Sequence, residues 1–215
     1  MLQLSDVTIA KNNQVLISDL NLTIAKGEIM TLMGGSGSGK STLLSWILGA
    51  LPEVFQAQGQ LQLNSRVLNQ LPIEQRRIGV IFQDDVLFPH WSVGQNLAFA
   101  LPNTFKGKAR REYIEQVLGQ VGLGGFYVRD PATLSGGQRS RVSVLRALVA
   151  QPQALLLDEP FAKLDRALRA QVRDWVFEQV QALQIPVLLV THDHEDVPAG
   201  GRVVQLNSAL GGKGC

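Results

Sequence analysis

A glycine-rich stretch near the start of the chain limits most strongly what it can fold into. The stretch matches G-x-x-x-x-G-K-[ST] and consists of Gly34, Gly35, Ser36, Gly37, Ser38, Gly39, Lys40, Ser41 and Thr42. The mostly apolar residues 28–33 predict a buried strand before it, and residues 41–48 predict a helix after it. Glycine lets the backbone turn its N–H groups towards an anion, which the N-terminus of the helix also faces. A flexible Gly/Ser turn is the alternative, but the flanking strand and helix favour a nucleoside triphosphate site.

Charged and hydroxyl side chains in two places predict the chemistry of this site. Lys40 is expected to reach the β- and γ-phosphates, and the Ser41 hydroxyl to bind Mg²⁺. Four apolar residues at 154–157 predict a strand that ends in Asp158 and Glu159, and ligands of open α/β sheets gather at such strand ends. Asp158 suits a link to Mg²⁺, whereas Glu159 can orient or deprotonate a water molecule. A solvated acidic strand end is the alternative for these two carboxylates.

The order of the predicted elements indicates an α/β fold, a P-loop NTPase core with a mostly parallel sheet and flanking helices. Alternating apolar residues at 2–9, 15–24 and 59–63 predict an N-terminal antiparallel β layer. Strand–helix–strand alternation later in the chain predicts the parallel sheet, with elements at 154–158, 165–183 and 186–191.

The middle of the chain predicts an inserted helical subdomain. Residues 94–100 and 108–122 predict helices, the second with a stripe of apolar residues on one face. We expect a single domain over 1–207, with a core and β layer at 1–83 and 151–207, a helical subdomain at 84–150, and a tail at 208–215.

Composition excludes several classes of protein. The chain has 215 residues, of which 45% are hydrophobic and 18% charged, and a net charge of +2. This charge is too small to indicate binding to nucleic acid. Cys215 cannot form an internal disulfide, so a reducing compartment is expected. With no apolar run near 18 residues and no basic flank before an apolar N-terminal core, neither a membrane span nor a signal peptide is predicted.

A second phosphate-binding sequence lies in the predicted subdomain. Ser135, Gly136, Gly137 and Gln138 precede a predicted helix at 139–150. Backbone donors, a hydroxyl and the positive end of a helix dipole together make a phosphate cradle. One triphosphate needs only one cradle, so we expect two copies of the chain to face each other, each completing the other's site.

Taken in order, these motifs resemble those of the ATPase subunits of ABC transporters, from about residue 2 to 207. The resemblance identifies 34–41 as Walker A, Gln83 as the Q-loop glutamine, 134–138 as the signature, 155–159 as Walker B with the catalytic Glu159, Asp165 as the D-loop aspartate and His192 as the switch histidine. It implies a homodimer in the ATP-bound state, in which two ATP molecules lie between Walker A of one subunit and the signature of the other.

The resemblance also implies roles for two polar residues and for partner proteins. Gln83 would bind Mg²⁺ through its amide oxygen and move with the helical insert. His192 would hydrogen-bond the γ-phosphate and hold the attacking water against Glu159, although a lone histidine after an apolar strand is more often structural. Such subunits lie at the cytoplasmic side of the inner membrane, where they drive integral-membrane permease subunits that receive solute from a substrate-binding protein.

The segment at 86–93 resembles the part that importer-type subunits place beside the permease. Phe88, Pro89 and Trp91 either fill the subdomain core or line a groove for a short permease helix. An importer subunit for a solute such as thiamine, iron, polyamine or molybdate is therefore expected. An exporter or extractor ATPase, or a non-transport ABC protein, is the alternative. The sequence does not specify the substrate.

Three positions depart from the family pattern. The family stacks adenine on an aromatic residue near the first strand turn, where this chain has Lys11 and no aromatic residue before Trp46. Weak recognition of the base is expected as a result. Ala162 stands where the D-loop usually begins with serine, which is expected to affect the dimer, and Gly35 replaces a common proline without expected effect.

Overall fold

The computed structural model describes residues 1–82 and 86–206. The chain divides into two compact units. The first contains Met1–Ile78, Gln153–Asp158 and the chain from Val180 onward, and the second contains Gly79–Pro152 and Glu159–Gln179.

Strands and helices follow one another in the order expected of an α/β chain. The strands are β1 (Leu2–Lys11), β2 (Gln14–Ile24), β3 (Ile29–Met33), β4 (Phe55–Leu63), β5 (Arg66–Val67), β6 (Ile78–Ile81), β7 (Ala154–Asp158), β8 (Val187–Val190) and β9 (Arg202–Gln205). The helices are α1 (Lys40–Leu48), α2 (Ile73–Arg76), α3 (Val93–Ala100), α4 (Gly107–Gln120), α5 (Gly136–Val149) and α6 (Arg166–Leu183).

The first unit contains an antiparallel sheet with the strand order β2-β1-β4-β5, which confirms the predicted β layer. The apolar alternation of β2 slips at Ser18 and Asp19, and the structure shows why. Asp19 has a positive φ of 49°, its N–H donates to Thr8 Oγ1, and the register with β1 shifts there. This β-bulge takes up the extra residue, so apolar side chains on both sides of it still face the core.

The first unit also contains a parallel sheet, as predicted. Strands β7, β8, β3 and β9 are neighbours in that order, and β6 lies where the chain passes from the first unit into the second. The strands β3 and β8 are buried along their whole length, since apolar side chains cover both faces of such a sheet. Their carboxyl ends therefore form one edge, at which the phosphate loop begins.

The second unit is built around an apolar cluster of α3, α4 and α5. Its buried members are Val93, Leu97, Leu101, Ile114, Val117, Leu118, Val121, Leu123, Leu134, Val142, Leu145 and Val149. The predicted apolar stripe of α4 is among them. Within the residues that the structure describes, no helix combines the length and the apolar character needed to cross a membrane.

The second unit is larger than the helical subdomain predicted at 84–150, because it also contains residues 159–179. Trp175 on α6 packs against the apolar cluster, and the Ser140 hydroxyl of α5 donates to the Pro160 carbonyl. Through these contacts, α6 and the turn before it pack within the second unit, with Pro160 bonded to α5. The sequence assigned this segment to the core because it follows a core strand in the chain.

Candidate functional site

The phosphate loop connects β3 to α1 with the geometry that its sequence predicts. Gly37 and Gly39 have positive φ values of 79° and 94°, which glycine adopts at no steric cost. A side chain at Gly34 would collide with the Leu206 carbonyl and with Ser38, each under 3.0 Å from an added Cβ. Gly34 is therefore required by close packing at the end of β3, and Gly37 and Gly39 by the turn itself.

Polar groups of this loop fit an anionic ligand. The Lys40 ammonium donates to the Gly34 and Gly35 carbonyls, at 2.7 and 3.0 Å, so it lies over the loop. The Ser38 hydroxyl is buried, and it has no hydrogen-bond partner in the described part of the chain. Nor does any described side chain cap the N-terminus of α1, which follows Gly39. Free backbone N–H groups and a positive helix end are what a phosphate group needs.

The register of the parallel sheet places Asp158 beside this loop within the first unit. Asp158 of β7 and Leu32 of β3 both pair with Val190 of β8. The two residues are therefore level on either side of β8, about 10 Å apart at the spacing of neighbouring strands. Asp158 is half-buried and interacts with other groups of the protein. The geometry brings one carboxylate to the edge where the loop and the Ser41 hydroxyl lie.

Oxygen donors at this edge suit Mg²⁺, which prefers carboxylate and hydroxyl ligands and retains water or phosphate oxygens. Over residues 1–82 and 86–206, no group of three or more His, Cys, Asp or Glu side chains could hold a metal ion by itself. A metal at Ser41 and Asp158 would therefore need the oxygens of a bound nucleotide. The third predicted ligand, Gln83, lies outside the described residues.

His192 follows β8 at the same edge and is exposed. The turn that carries it is fixed by a buried pair, in which the Thr191 hydroxyl donates to the Asp196 carboxylate at 2.8 Å. The Asp193 N–H donates to the same hydroxyl at 3.1 Å. Asp196 is buried, and sequence reasoning missed it because carboxylates are rarely buried. The structure therefore keeps His192 at the carboxyl edge of β8.

Glu159 belongs to the second unit and directly follows Asp158. It is half-buried and has a positive φ of 48°, a conformation that non-glycine residues adopt at a cost. Glu159 also interacts with other groups of the protein. Glu159 is also the first residue of a turn, in which the Ala162 N–H donates to the Glu159 carbonyl.

The signature residues form the N-terminus of α5, which begins at Gly136, three residues before the predicted start at 139. Ser135 is the N-cap, and its hydroxyl accepts from the Gln138 N–H while the Gln138 side chain accepts from the Ser135 N–H. This capping box satisfies two helix-end donors. Gln138 therefore holds the turn in shape, and the N–H groups of Gly136 and Gly137 remain at the helix end.

The D-loop segment packs directly on the signature helix inside the second unit. A side chain at Gly137 would lie 3.2 Å from Leu164, so glycine allows the close approach. Asp165 caps α6, because its carboxylate accepts from the Leu168 N–H at 3.0 Å. Burial lowers the pKa of the Arg141 guanidinium, and the nearby Asp165 carboxylate opposes that shift. The two motifs predicted to touch a partner subunit are therefore packed against each other.

Sequence reasoning missed a buried arginine behind the phosphate loop. Arg76 donates to four backbone carbonyls, of which two, those of Trp46 and Ile47, lie at the end of α1. Burial lowers the pKa of this guanidinium. A side chain at Gly49, which ends α1, would lie 2.5 Å from Arg76. A cation at a helix C-terminus stabilises it, so Arg76 anchors the helix whose other end faces the phosphates.

Sequence reasoning also missed Asn96, a buried polar residue that supports the segment containing Phe88 and Trp91. Asn96 of α3 is fully buried; its side-chain NH₂ donates to the carbonyls of Phe88 and Trp91, and its oxygen accepts from the Phe88 N–H. Arg146 of α5 donates to the Val86 carbonyl and lies over the Phe88 ring. This arrangement holds an aromatic surface, defined by Phe88, Trp91 and Phe99, whose rings lie 4.8–5.3 Å apart.

Together, a phosphate loop between β3 and α1 and a carboxylate at the end of β7 define a P-loop nucleotide-binding protein. Within that class, the helix α5 with its Ser135 cap and its two glycines corresponds to the signature motif described above. The chain belongs to the ABC transporter family, whose model matches residues 17–162, and it is an ATP-binding and ATP-hydrolysing member.

Similar proteins agree with this assignment. The chain is 54% identical to the uncharacterized ABC transporter ATP-binding protein YnjD of Escherichia coli, over 96% of this chain and 95% of that protein. It is 38% identical to the E. coli putrescine transport ATP-binding protein PotG and 40% to the Brucella abortus Fe(3+) ions import protein FbpC. It spans about half the length of these two, 55% and 54%.

A solved structure confirms the fold class. The ATP-binding cassette MJ0796, described as a dimeric post-hydrolysis state bound to ADP and Pi, has a TM-score of 0.82 and 29% identity to this chain. The match covers 97% of both chains. The predicted α/β architecture with its antiparallel layer is therefore the one observed in ABC cassettes.

Proposed function

We propose that this chain is the ATPase subunit of an ABC importer and drives a separate membrane permease that receives solute from a substrate-binding protein. The relatives named for putrescine transport and for Fe(3+) import support the direction. The observation that carries the proposal is a pair of cradles, the phosphate loop in one unit and the Ser135-capped helix in the other. A pair of cradles fits a homodimer that encloses ATP at the cytoplasmic side of the membrane.

The residues of the site have distinct roles in this proposal. Backbone N–H groups of 34–39 and Lys40 hold the phosphates, while Ser41, Asp158 and Gln83 would hold Mg²⁺. The ion, when bound, neutralises charge on the transferred phosphoryl group. Glu159 accepts a proton from the attacking water, and His192 orients that water against the γ-phosphate. Ser135, Gly136 and Gly137 bind the partner's nucleotide, and Asp165 keeps the neighbouring helix in place.

The aromatic surface is the part of the chain that we assign to the permease. Phe88, Trp91 and Phe99 are 39%, 38% and 64% exposed, so their rings are not only core filling. Val86 beside them is 60% exposed. Exposed apolar side chains on a rigid support are typical of a protein–protein contact. A short apolar helix of the permease would cover these rings, as a helix lies in a groove.

Transport direction is the test of the importer assignment. The chain is reconstituted in proteoliposomes with its proposed permease, and ATP is supplied on the side that the ATPase occupies. Uptake towards the ATPase side, dependent on a binding protein, is expected. Transport away from that side would indicate an exporter, and ATP hydrolysis unaffected by any permease would indicate a non-transport ABC protein.

A further inference from the structure

An aromatic ring lies beside the position at which the family's adenine-stacking residue is missing. The structure begins β4 at Phe55, four residues before the predicted strand at 59–63, and pairs Phe55 directly with Lys11 of β1. The Lys11 ammonium lies 5.5 Å from the centre of the Phe55 ring. The ring is half-buried, so part of it remains open to a ligand.

The Phe55 ring and the phosphate loop share one face of the antiparallel sheet. Directly paired residues of antiparallel strands point to the same face, and residues two apart in one strand do so too. Lys11 and Ile9 are two apart in β1, and Ile9 pairs with Ile17 of β2. The Ile17 side chain packs against the phosphate loop, 3.2 Å from where a Cβ of Gly39 would be. Phe55, Lys11, Ile9 and Ile17 therefore lie on the face that meets the loop.

The separation suits a nucleotide. Two residues along β1 and the two strand spacings from β2 to β4 place Phe55 about 12 Å from Ile17. A ribose and its phosphates bridge such a gap between a phosphate cradle and a base. All of these residues belong to the first unit, together with the loop itself.

We propose that the Phe55 ring is the surface on which the adenine of ATP stacks, in place of a residue at position 11. The proposal rests on the phosphate loop holding the triphosphate. Stacking a base on an aromatic ring changes affinity about five- to hundred-fold. An exposed ammonium on a ring contributes about two- to five-fold, so the base displaces Lys11 from the ring. Because stacking does not read the edges of a base, GTP uses the same ring.

Titration calorimetry on the full chain tests this with two probes, Mg²⁺ with ATP and Mg²⁺ with tripolyphosphate, which has no base. Phe55→Ala should weaken ATP about five- to hundred-fold and leave tripolyphosphate within twofold of wild type. Phe55→Trp should retain ATP affinity. Gln56→Ala, an exposed neighbour on the opposite face, is the matched control and should change neither.

Phe55→Leu keeps apolar bulk at the strand end and serves where alanine impairs folding; it should also weaken ATP selectively. Unchanged ATP affinity in a folded Phe55 variant would overturn the proposal, as would equal weakening of both probes. Failure of wild-type protein to bind tripolyphosphate would instead refute the phosphate site on which the proposal rests.

Discussion

Among individual residues, Glu159 combines a chemical role with a backbone conformation that costs free energy. Its φ of 48° lies in the left-handed region, which costs a non-glycine residue on the order of 1–3 kcal/mol. Glu159→Gln preserves this backbone and the side-chain shape but removes the proton acceptor. We expect ATP binding to persist and turnover to fall about 10²–10⁴-fold, which is roughly 3–5.5 kcal/mol of barrier.

Hydrolysis by the purified Glu159→Gln protein, assayed with its permease, measures this effect. Glu178→Gln on the exposed side of α6 is the control and should keep wild-type turnover. More than a third of wild-type turnover in Glu159→Gln would show that Glu159 is not the general base.

The buried Arg76 side chain stabilises the C-terminal end of α1. Replacing it with methionine keeps the volume but removes the Arg76 donors from the carbonyls of Ile47, Asn69 and Leu71. The Trp46 carbonyl also loses Arg76 but still accepts from the Gly49 N–H. Each unsatisfied buried polar group costs about 1–3 kcal/mol, and some will reach water. We expect Arg76→Met to lower the free energy of unfolding by about 2–4 kcal/mol.

Urea denaturation followed by circular dichroism gives this free energy. Arg77→Met is a matched control, because Arg77 is adjacent but exposed. If the two variants are equally stable, the carbonyls around Arg76 have found other donors.

For helices and strands, sequence patterns predicted most of the fold where apolar periodicity was strong. The runs at β3, β7 and β8, the stripe of α4 and the phosphate loop with α1 all lie within a residue or two of their predicted bounds. Such patterns are reliable because burial on one or both faces selects them.

The misses have a physical cause as well. The first four residues of β4, 55–58, pair with β1 without a buried face, so no alternation marks them. Arg76 and Asn96 were missed because arginine and asparagine are usually exposed, and only their contacts show otherwise. The motif residues could be recognised in the sequence, whereas the contacts of Arg76 and Asn96 and the pairing of Phe55 with Lys11 depend on the folded chain.

The aromatic surface of the second unit leads to a prediction for Trp91. Since Trp91 is 38% exposed, truncation should cost much less than the about 3–5 kcal/mol typical of a buried tryptophan. Trp91→Ala should therefore leave the melting temperature nearly unchanged while lowering permease-stimulated ATP hydrolysis. Thermal denaturation and hydrolysis with and without permease measure the two effects.

Val128→Ala is the control, since Val128 is 73% exposed in the same unit. It should lower neither quantity. A large fall in the melting temperature of Trp91→Ala would show instead that this tryptophan is part of the core of the subdomain.

For the whole molecule, the proposed homodimer depends on ATP. Ligand held between two faces stabilises the dimer by mass action, so Glu159→Gln should be a dimer with ATP and a monomer without it. Adding Ser135→Arg should abolish the dimer, because the arginine would fill the partner's phosphate site. Light scattering gives the mass in each case.

Ser135→Arg also removes a capping box, and the chain provides a matched control for that loss. Ser92 caps α3 through the same pair of hydrogen bonds, with Gln95 in place of Gln138. Ser92→Arg should therefore lose a similar cap, about 1 kcal/mol, and still dimerise. A mass that does not respond to ATP, or a dimer of the Ser135→Arg protein, would contradict the proposed arrangement.

The order of strands in the parallel sheet has a consequence for synthesis on the ribosome. Strand β3, which ends at the phosphate loop, has both of its neighbours, β8 and β9, at the far end of the chain. At about 5–20 residues per second, roughly 150 residues of translation leave β3 unpaired for on the order of 10–30 s. The phosphate loop is therefore synthesised early, but the strands that flank β3 are added last. Ribosome-bound chains arrested before Val187 should not retain ATP, and their apolar β3 is a natural target for chaperones until the final strands emerge.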